Sequence, residues 1–314
     1  MKIADSTSVQ SIELPSGLTV FERGWLSSNN ILLMGADNCA LIDSGYCTHA
    51  PQTLQLLQGA LNDRPLDLLI NTHLHSDHCG GNSLLQSTYP EMLTLIPPGH
   101  AEFVKSWDAN ALTYVPTGQN CPAFHLNDTL RPGSDIQLGD LIWQIHAAPG
   151  HDPHSVILFE PVSRTLISAD ALWERGFGVV FPELDGVSAF EEVANTLDLI
   201  ESLNPLHVIP GHGSPFVGVN EAIAFARKRL DGFIASPQKH SLYAAKVLLK
   251  FKLLEEQRMK IDELKEWVKS TPYFRATLAA QLGEQDSSQL TVDLIDALLK
   301  SGAAVAIGSE IHNT

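Results

Sequence analysis

The segment His73-Leu74-His75-Ser76-Asp77-His78 follows directly on the apolar run Leu66 to Ile70, and it constrains the architecture of this chain more than any other stretch. Side chains repeat every two residues along an extended segment, so His73 and His75 point to the same side, while Asp77 and His78 fall where the chain turns into the next helix. Two adjacent groups of ligands result, enough for two metal ions. Other strands must end beside this one to complete the coordination.

Three more segments have that setting. Pro149-Gly150-His151 follows the strand-like Leu141 to His146, Ser168-Ala169-Asp170 ends the strand-like Thr165 to Ile167, and Pro210-Gly211-His212-Gly213 follows Leu206 to Ile209. Loops at strand ends are where a packed scaffold holds convergent polar groups without burying their backbones unpaired. Taken singly, a Pro-Gly-His is a turn and an Asp after a strand is a helix cap; the argument rests on their combination.

The set His73, His75, Asp77, His78, His151, Asp170 and His212 resembles, in order and spacing, the metallo-β-lactamase superfamily, a large group of mostly dinuclear metallohydrolases that includes glyoxalase II. The resemblance covers roughly residues 10 to 235, and Ile42-Asp43-Ser44-Gly45 resembles the family's early strand-to-loop aspartate. It implies an α+β fold, an αββα four-layer sandwich with the metals at one edge between two sheets. By motif position, one metal takes His73, His75 and His151, the other takes Asp77, His78 and His212, and Asp170 bridges them.

Imidazole and carboxylate ligands suit zinc first, and iron or manganese as well; no thiolate stands in the ligand positions. Two divalent cations sharing a water lower its pKa towards neutrality, giving a metal-bound hydroxide as nucleophile, and they also polarise the substrate oxygen. The expected reaction is therefore hydrolysis, with Asp77 as the catalytic residue that holds and orients the hydroxide.

Missing family motifs narrow the substrate. The superfamily's β-lactamases are usually exported and carry no bridging carboxylate like Asp170, which argues against antibiotic cleavage. Its lactonases carry a tyrosine where this chain has Trp173, a residue with no hydroxyl to offer a lactone oxygen. The lysine and arginine pattern by which glyoxalase II enzymes hold glutathione is not found after residue 235. The expected substrate is a small-molecule thioester, ester or lactone, with thioester preferred. Trp173, Phe177 and Phe181 lie just beyond Asp170 as candidate walls of an acyl pocket, with core packing the competing reading. His154 is a candidate donor to substrate or partner of a ligand.

Composition suits such an enzyme. At 314 residues, with 44% hydrophobic and 18% charged, the chain can bury a full core in one large domain plus a smaller one. The N-terminal residues show no apolar signal region and no run approaches a membrane span, so a cytoplasmic location is expected. Cys39, Cys47, Cys79 and Cys121 form no Cys-x-x-Cys pair and are expected as reduced thiols, Cys79 as a small packing residue.

Along the chain, strands are predicted over 11–20, 30–35, 40–43, 66–71, 92–96, 136–146, 154–160, 164–169 and 206–209. Helices are predicted over 51–62, 82–87, 100–110, 188–202 and 219–234, and the loop that follows residue 110 is either a lid or a surface excursion. Ser236-Pro237 divides a catalytic domain, 1–235, from a helical domain, 236–314. There Leu242, Ala245, Leu249 and Leu253 form one apolar stripe, Ile261, Leu264 and Val268 a second, and Leu294, Ile295, Leu298 and Leu299 a third before the apolar run Ala303 to Ile307. That order resembles the winged-helix-like appendage of a superfamily branch containing thioesterases and a single-stranded-RNA endonuclease.

Charge divides along the chain as well. Residues 1–226 hold 7 Lys+Arg against 25 Asp+Glu, whereas 227–275 hold 12 against 6. The first part repels nucleic acid. The second, with Arg227, Lys228, Arg229, Lys239, Lys246, Lys250 and Lys252, either forms a basic rim for a phosphorylated substrate such as a coenzyme A ester or is the solvated face of a helix. The alternatives to a small-molecule hydrolase are an RNA phosphodiesterase using the same metals and a non-catalytic metal-binding regulatory protein.

Overall fold

Alternation along β2 (Asn30–Met34) and β3 (Cys39–Ile42) sorts their side chains between two cores. Leu32, Cys39 and Leu41 face one way and pack with Leu57 and Leu61 of helix α1 (Ala50–Leu61). Ile31, Leu33, Ala40 and Ile42 face the other way and meet Trp143, Ile145, Val156, Leu158 and Ile167 of a second sheet. A sheet covered on both faces needs apolar residues on both, which is why these strands read as continuous apolar runs.

The computed structural model describes residues 12–274 and 287–314. The predicted start of the first strand, Ser11, and Arg275 at the end of the basic segment lie outside them. The first sheet has the order β1 (Leu18–Phe21), β2, β3, β4 (Leu68–Ile70), β5 (Leu93–Ile96), β6 (Asp128–Thr129), antiparallel up to β3 and parallel beyond it. Helix α1 makes the crossover to β4, and the short α2 (Ser76–Cys79) and α3 (Asn82–Thr88) make the next.

Between β5 and the second sheet, the predicted helix 100–110 is shorter, α4 (Ala101–Ser106), and one turn, α5 (Tyr114–Thr117), follows it. The second sheet runs β11 (His207–Pro210), β10 (Thr165–Ala169), β9 (Val156–Glu160), β8 (Leu141–Ala147), β7 (Asp135–Leu138). The predicted strand 136–146 is in fact a hairpin: Gly139, at φ 60°, turns the chain between β7 and β8. After the single turn α6 (Phe181–Leu184), helices α7 (Phe190–Leu203) and α8 (Val219–Ala235) cover this sheet's outer face through Leu197, Ile200, Ala226 and Leu230. The layers are thus helix, sheet, sheet, helix, the αββα arrangement.

Ser236 precedes a proline and is extended, at φ −151° and ψ 85°, which ends α8, and Pro237 opens α9 (Pro237–Glu256). Strand β12 (Arg258–Lys260), α10 (Ile261–Ser270), α11 (Ser287–Ser301), β13 (Ala304–Ile307) and β14 (Glu310–Asn313) follow, the strands forming a sheet of order β12-β14-β13. Ala245, Leu249, Leu253, Leu264, Val268, Leu294 and Leu298 share one buried cluster. Leu242, predicted in the same stripe, is instead 40% exposed, because it sits one helical position off the buried face.

This part seats on the sandwich at a few points. The Tyr46 hydroxyl donates to Glu255 Oε1 at 2.7 Å and accepts from the Asn120 backbone N–H at 3.0 Å. Val180 N–H donates to His240 Nε2 at 3.0 Å, and Val179 and Leu184 join the helical cluster.

Candidate metal centre

The predicted residues converge at one edge of the sandwich. His73, His75, Asp77 and His78 come from the loop after β4 and from α2; His151 follows β8, Asp170 follows β10 and His212 follows β11. Among the described residues, three groups can each hold an ion: His73, His75 and His151; Asp77, His78 and His212; and His73, His78 and Asp170. Donor atoms within each group lie within 4.8 Å of one another. His75 Nδ1 is 2.8 Å from His151 Nε2, and His212 Nε2 is 3.1 Å from Asp77 Oδ2. Asp170 reaches across: its carboxylate is 3.4 Å from His151 Nε2, 3.6 Å from His78 Nε2 and 3.8 Å from His212 Nε2.

Outer contacts fix which nitrogen faces inward. Asp43 Oδ2 accepts from His78 Nδ1 at 2.8 Å, and the same carboxylate accepts the backbone N–H and hydroxyl of Thr72, leaving His78 Nε2 for the centre. His151 Nδ1 donates to the Val179 carbonyl, so its Nε2 faces the centre. Two residues here take a left-handed backbone without being glycine, Asp43 at φ 58° and Ala169 at φ 47°. The register of β10 on β11 shifts between Ile167 and Ala169, and that kink delivers Asp170 to the site. Gly211 has no room for a Cβ, which would strike the Asp170 carboxylate. Asn29, fully buried, donates to the carbonyls of Pro210 and Gly213, while Ser28 N–H donates to the Asp77 carbonyl; this loop ties the two sheets' strand ends together.

The donor atoms have the character a cation requires. Burial, with neighbouring imidazoles adding to it, holds His73 well below its ordinary pKa, burial pushes His75 down to about 4, and burial lowers His151, so their lone pairs are free at neutral pH. Burial opposes ionisation of Asp77 and Asp170, yet the surrounding imidazoles outweigh it and lower both. For His78, burial is outweighed by Asp43, Asp170 and Asp77, which raise it well above the usual range: three carboxylates draw a positive charge to this point. His73 Nε2 and His78 Nε2 are buried with no hydrogen-bond partner, a costly state that a bound ion would relieve.

A profile of the Metallo-beta-lactamase superfamily matches residues 23–212, well over half the chain. The chain belongs to the metallo-β-lactamase superfamily. A hydroxyacylglutathione hydrolase of Francisella tularensis subsp. holarctica is 30% identical over 158 residues, which is 50% of this chain and 50% of that protein. The chain thus spans about half the length of such curated relatives. Among solved structures, the metallo-beta-lactamase family protein TTHA1429 of Thermus thermophilus superposes with a TM-score of 0.56 at 18% identity, over 96% of this chain and 100% of that one. TTHA1623, described in a di-iron-bound form, superposes with a TM-score of 0.53 at 24% identity, over 66% of this chain and 98% of that one. At these identities the superpositions establish the fold.

Above the superfamily's histidine and aspartate cluster lies a cavity of about 80 Å3. Trp25, Trp173 and Phe181 form its aromatic walls, Thr117 and Gln119 come from the segment between β5 and β6, and Tyr243, Val247 and Phe251 come from α9. Trp173 Nε1 donates to Asp170 Oδ1 at 3.2 Å, and Phe181 meets the His75 ring edge-on at 4.7 Å. Two expected substrate contacts lie elsewhere. Phe177 is 1% exposed and packs in the core between the second sheet and α8, where Arg229 lies 5.6 Å from its ring. His154 turns away to stack edge-on against His100 at 4.6 Å and does not line the cavity. Cys79 is buried, its thiol near the Tyr114 hydroxyl at 3.2 Å and the Cys121 sulfur at 3.8 Å. The residues that sequence reasoning missed are Trp25, stacked on His212 at 5.3 Å, and Asp152, whose carboxylate is 3.8 Å from His75 Nε2. Neither sits in a motif; Asp152 adjoins His151, which was the one available signal.

Proposed function

We propose that this protein is a metal-dependent hydrolase of a small-molecule thioester, ester or lactone, with thioester preferred, and that His73, His75, Asp77, His78, His151, Asp170 and His212 hold two divalent ions, zinc first, with iron or manganese fitting the same donors. The observation that carries the reading is the convergence of those seven side chains with buried, unpartnered imidazole nitrogens. The hydroxyacylglutathione hydrolase relative and the di-iron form of TTHA1623 support, respectively, thioester chemistry and a dinuclear site. When bound, two such ions would lower the pKa of a shared water towards neutrality and would polarise a carbonyl.

The chain's own residues do the rest. Asp77, its carboxylate against His212, orients the attacking water. The aromatic walls limit bulk water, and residues of both α5 and α9 line the cavity. Residues 236–314 are read as a separate winged-helix-like domain, a reading supported by helices α9, α10 and α11 accompanying the β12-β14-β13 sheet.

An RNA substrate gains little from the structure. Arg227 pairs with Asp198 and Glu201, Lys252 with Glu255 and Glu256, Lys250 is taken up by Ala303, Asn313 and Thr314, and Arg229 lies over the rings of Phe177, Phe233 and Tyr243. No helix among the described residues is long and apolar enough to cross a membrane. The test is hydrolysis by the metal-loaded protein of an acyl-coenzyme A thioester and of single-stranded RNA in parallel, with Asp77→Ala as control. Thioester turnover that vanishes in the variant is expected; RNA cleavage alone overturns the reading.

A further inference from the structure

The cavity over the metal centre has an apolar neighbour along α9. A second depression, of about 370 Å3, adjoins it, and the two share Trp25, Tyr243, Val247 and Phe251. Along α9, Tyr243, Val247, Phe251 and Leu254 follow one another at helical spacing, so a single face of the helix borders both spaces. Leu298 and Ala303, at the end of α11 and before β13, make the facing wall. The result is a trough lined mainly by hydrocarbon, bordering the cavity that holds His75, Asp77, His151 and His212.

The polar residues of the trough do not change its character. Lys250 lines it, but its ammonium is held by the Ala303 carbonyl at 2.5 Å, by Asn313 Oδ1 and by the Thr314 carbonyl, which leaves the methylene stem for the trough. Ser301 gives its hydroxyl to the Leu298 carbonyl at 3.0 Å. Lys246 is partly exposed and can keep its ammonium in water while its stem lines the rim. A sugar, peptide or nucleotide would find few partners there for its polar groups, whereas an alkyl chain would lose only water.

We propose that this trough is an acyl-chain site: it takes the unbranched apolar chain of a substrate whose carbonyl lies at the metal centre. The placing of the carbonyl rests on the hydrolase reading above. Adjacency argues for this occupant, since Trp25, Tyr243, Val247 and Phe251 border both the space beside the metal centre and the apolar depression next to it. The protein then selects for medium-length acyl thioesters or esters over acetyl ones, with the leaving group directed to the open side of the cavity.

The test is calorimetric titration of the metal-loaded protein with acetate, hexanoate, octanoate and decanoate, the carboxylic acids such a reaction would release. Affinity is expected to rise roughly two- to fourfold per added methylene, the range between partial and full burial. Ser301→Trp, at an exposed rim position, and Leu254→Trp, on the α9 floor, are expected to remove that rise beyond hexanoate, at least tenfold for decanoate. Circular dichroism and thermal unfolding identify variants that keep the fold, and only those count. A flat series in the wild-type protein, or an unchanged rise in a folded variant, overturns the proposal. Binding needs no turnover. A protein that binds decanoate through the trough but cleaves no thioester keeps the acyl site and loses the hydrolase reading, while turnover with a flat series does the reverse.

Discussion

Asp77 and Asp170 occupy the two positions where a carboxylate meets imidazoles from both sheets. Replacing either with alanine is expected to lower turnover by roughly a thousandfold or more, since water activation and charge stabilisation are lost together. Thermal unfolding of the metal-free proteins checks that the fold survives. Asp43 acts at one remove: Asp43→Asn leaves the shape but weakens the acceptor at His78 Nδ1, and metal affinity should fall roughly 10–100-fold in a chelator competition assay. At this scale the centre is legible in the sequence because each candidate ligand lies beside a local signal, a His-x-His-x-Asp-His run or a turn after an apolar strand. Trp25 and Asn29 carry no such signal, and Asp152 has only its place beside His151, because their roles depend on what the folded chain brings next to them. Phe177 misleads for a related reason: within a turn there is no strand parity to tell which way an aromatic points.

Helix α9 shows how much one element carries. Its first turn presents His240, 1% exposed, between Phe190 and Phe233, with Nε2 accepting the Val180 N–H. Burial pushes its pKa down to about 4, from an ordinary value near 6.5. The unfolded chain therefore binds a proton there between about pH 6.5 and 4 that the folded chain does not. Stability from this group is present above pH 6.5 and falls by roughly 3 kcal/mol as pH drops to 4. Denaturant unfolding of metal-free protein at pH 7 and 4.5 should show His240→Gln losing less stability on acidification than wild type; equal losses would remove His240 as the cause. No motif marks this histidine, and its role appears only once α9 is docked. Element existence is otherwise well legible where periodicity is long, as in α1, α7 and α8. It fails for β12 and β14, whose sequences Arg-Met-Lys and Glu-Ile-His-Asn are too short and polar to show a period, and for the β7–β8 turn, where Leu138-Gly139-Asp140-Leu141 keeps an apolar-polar rhythm through a reversal.

For the molecule as a whole, α9 packs against Val179, Val180 and Leu184, in the loop whose Val179 carbonyl holds His151. A chain ending at residue 235 should expose that apolar face, bind a hydrophobic dye, and hold metal at least roughly tenfold more weakly, as an imidazole ligand with a loosened partner would. The division of donors between the sheets has a further consequence. Four of the seven come from the end of the first sheet and three from the second, so ions seated among them would act as a clasp across the layer boundary. The resistance of the sandwich to opening then becomes a function of free metal activity, growing by about 4 kcal/mol at a thousandfold excess over the dissociation constant. Under metal starvation the same chain would be a softer molecule, with its strand ends fraying first on the side where chemistry is done.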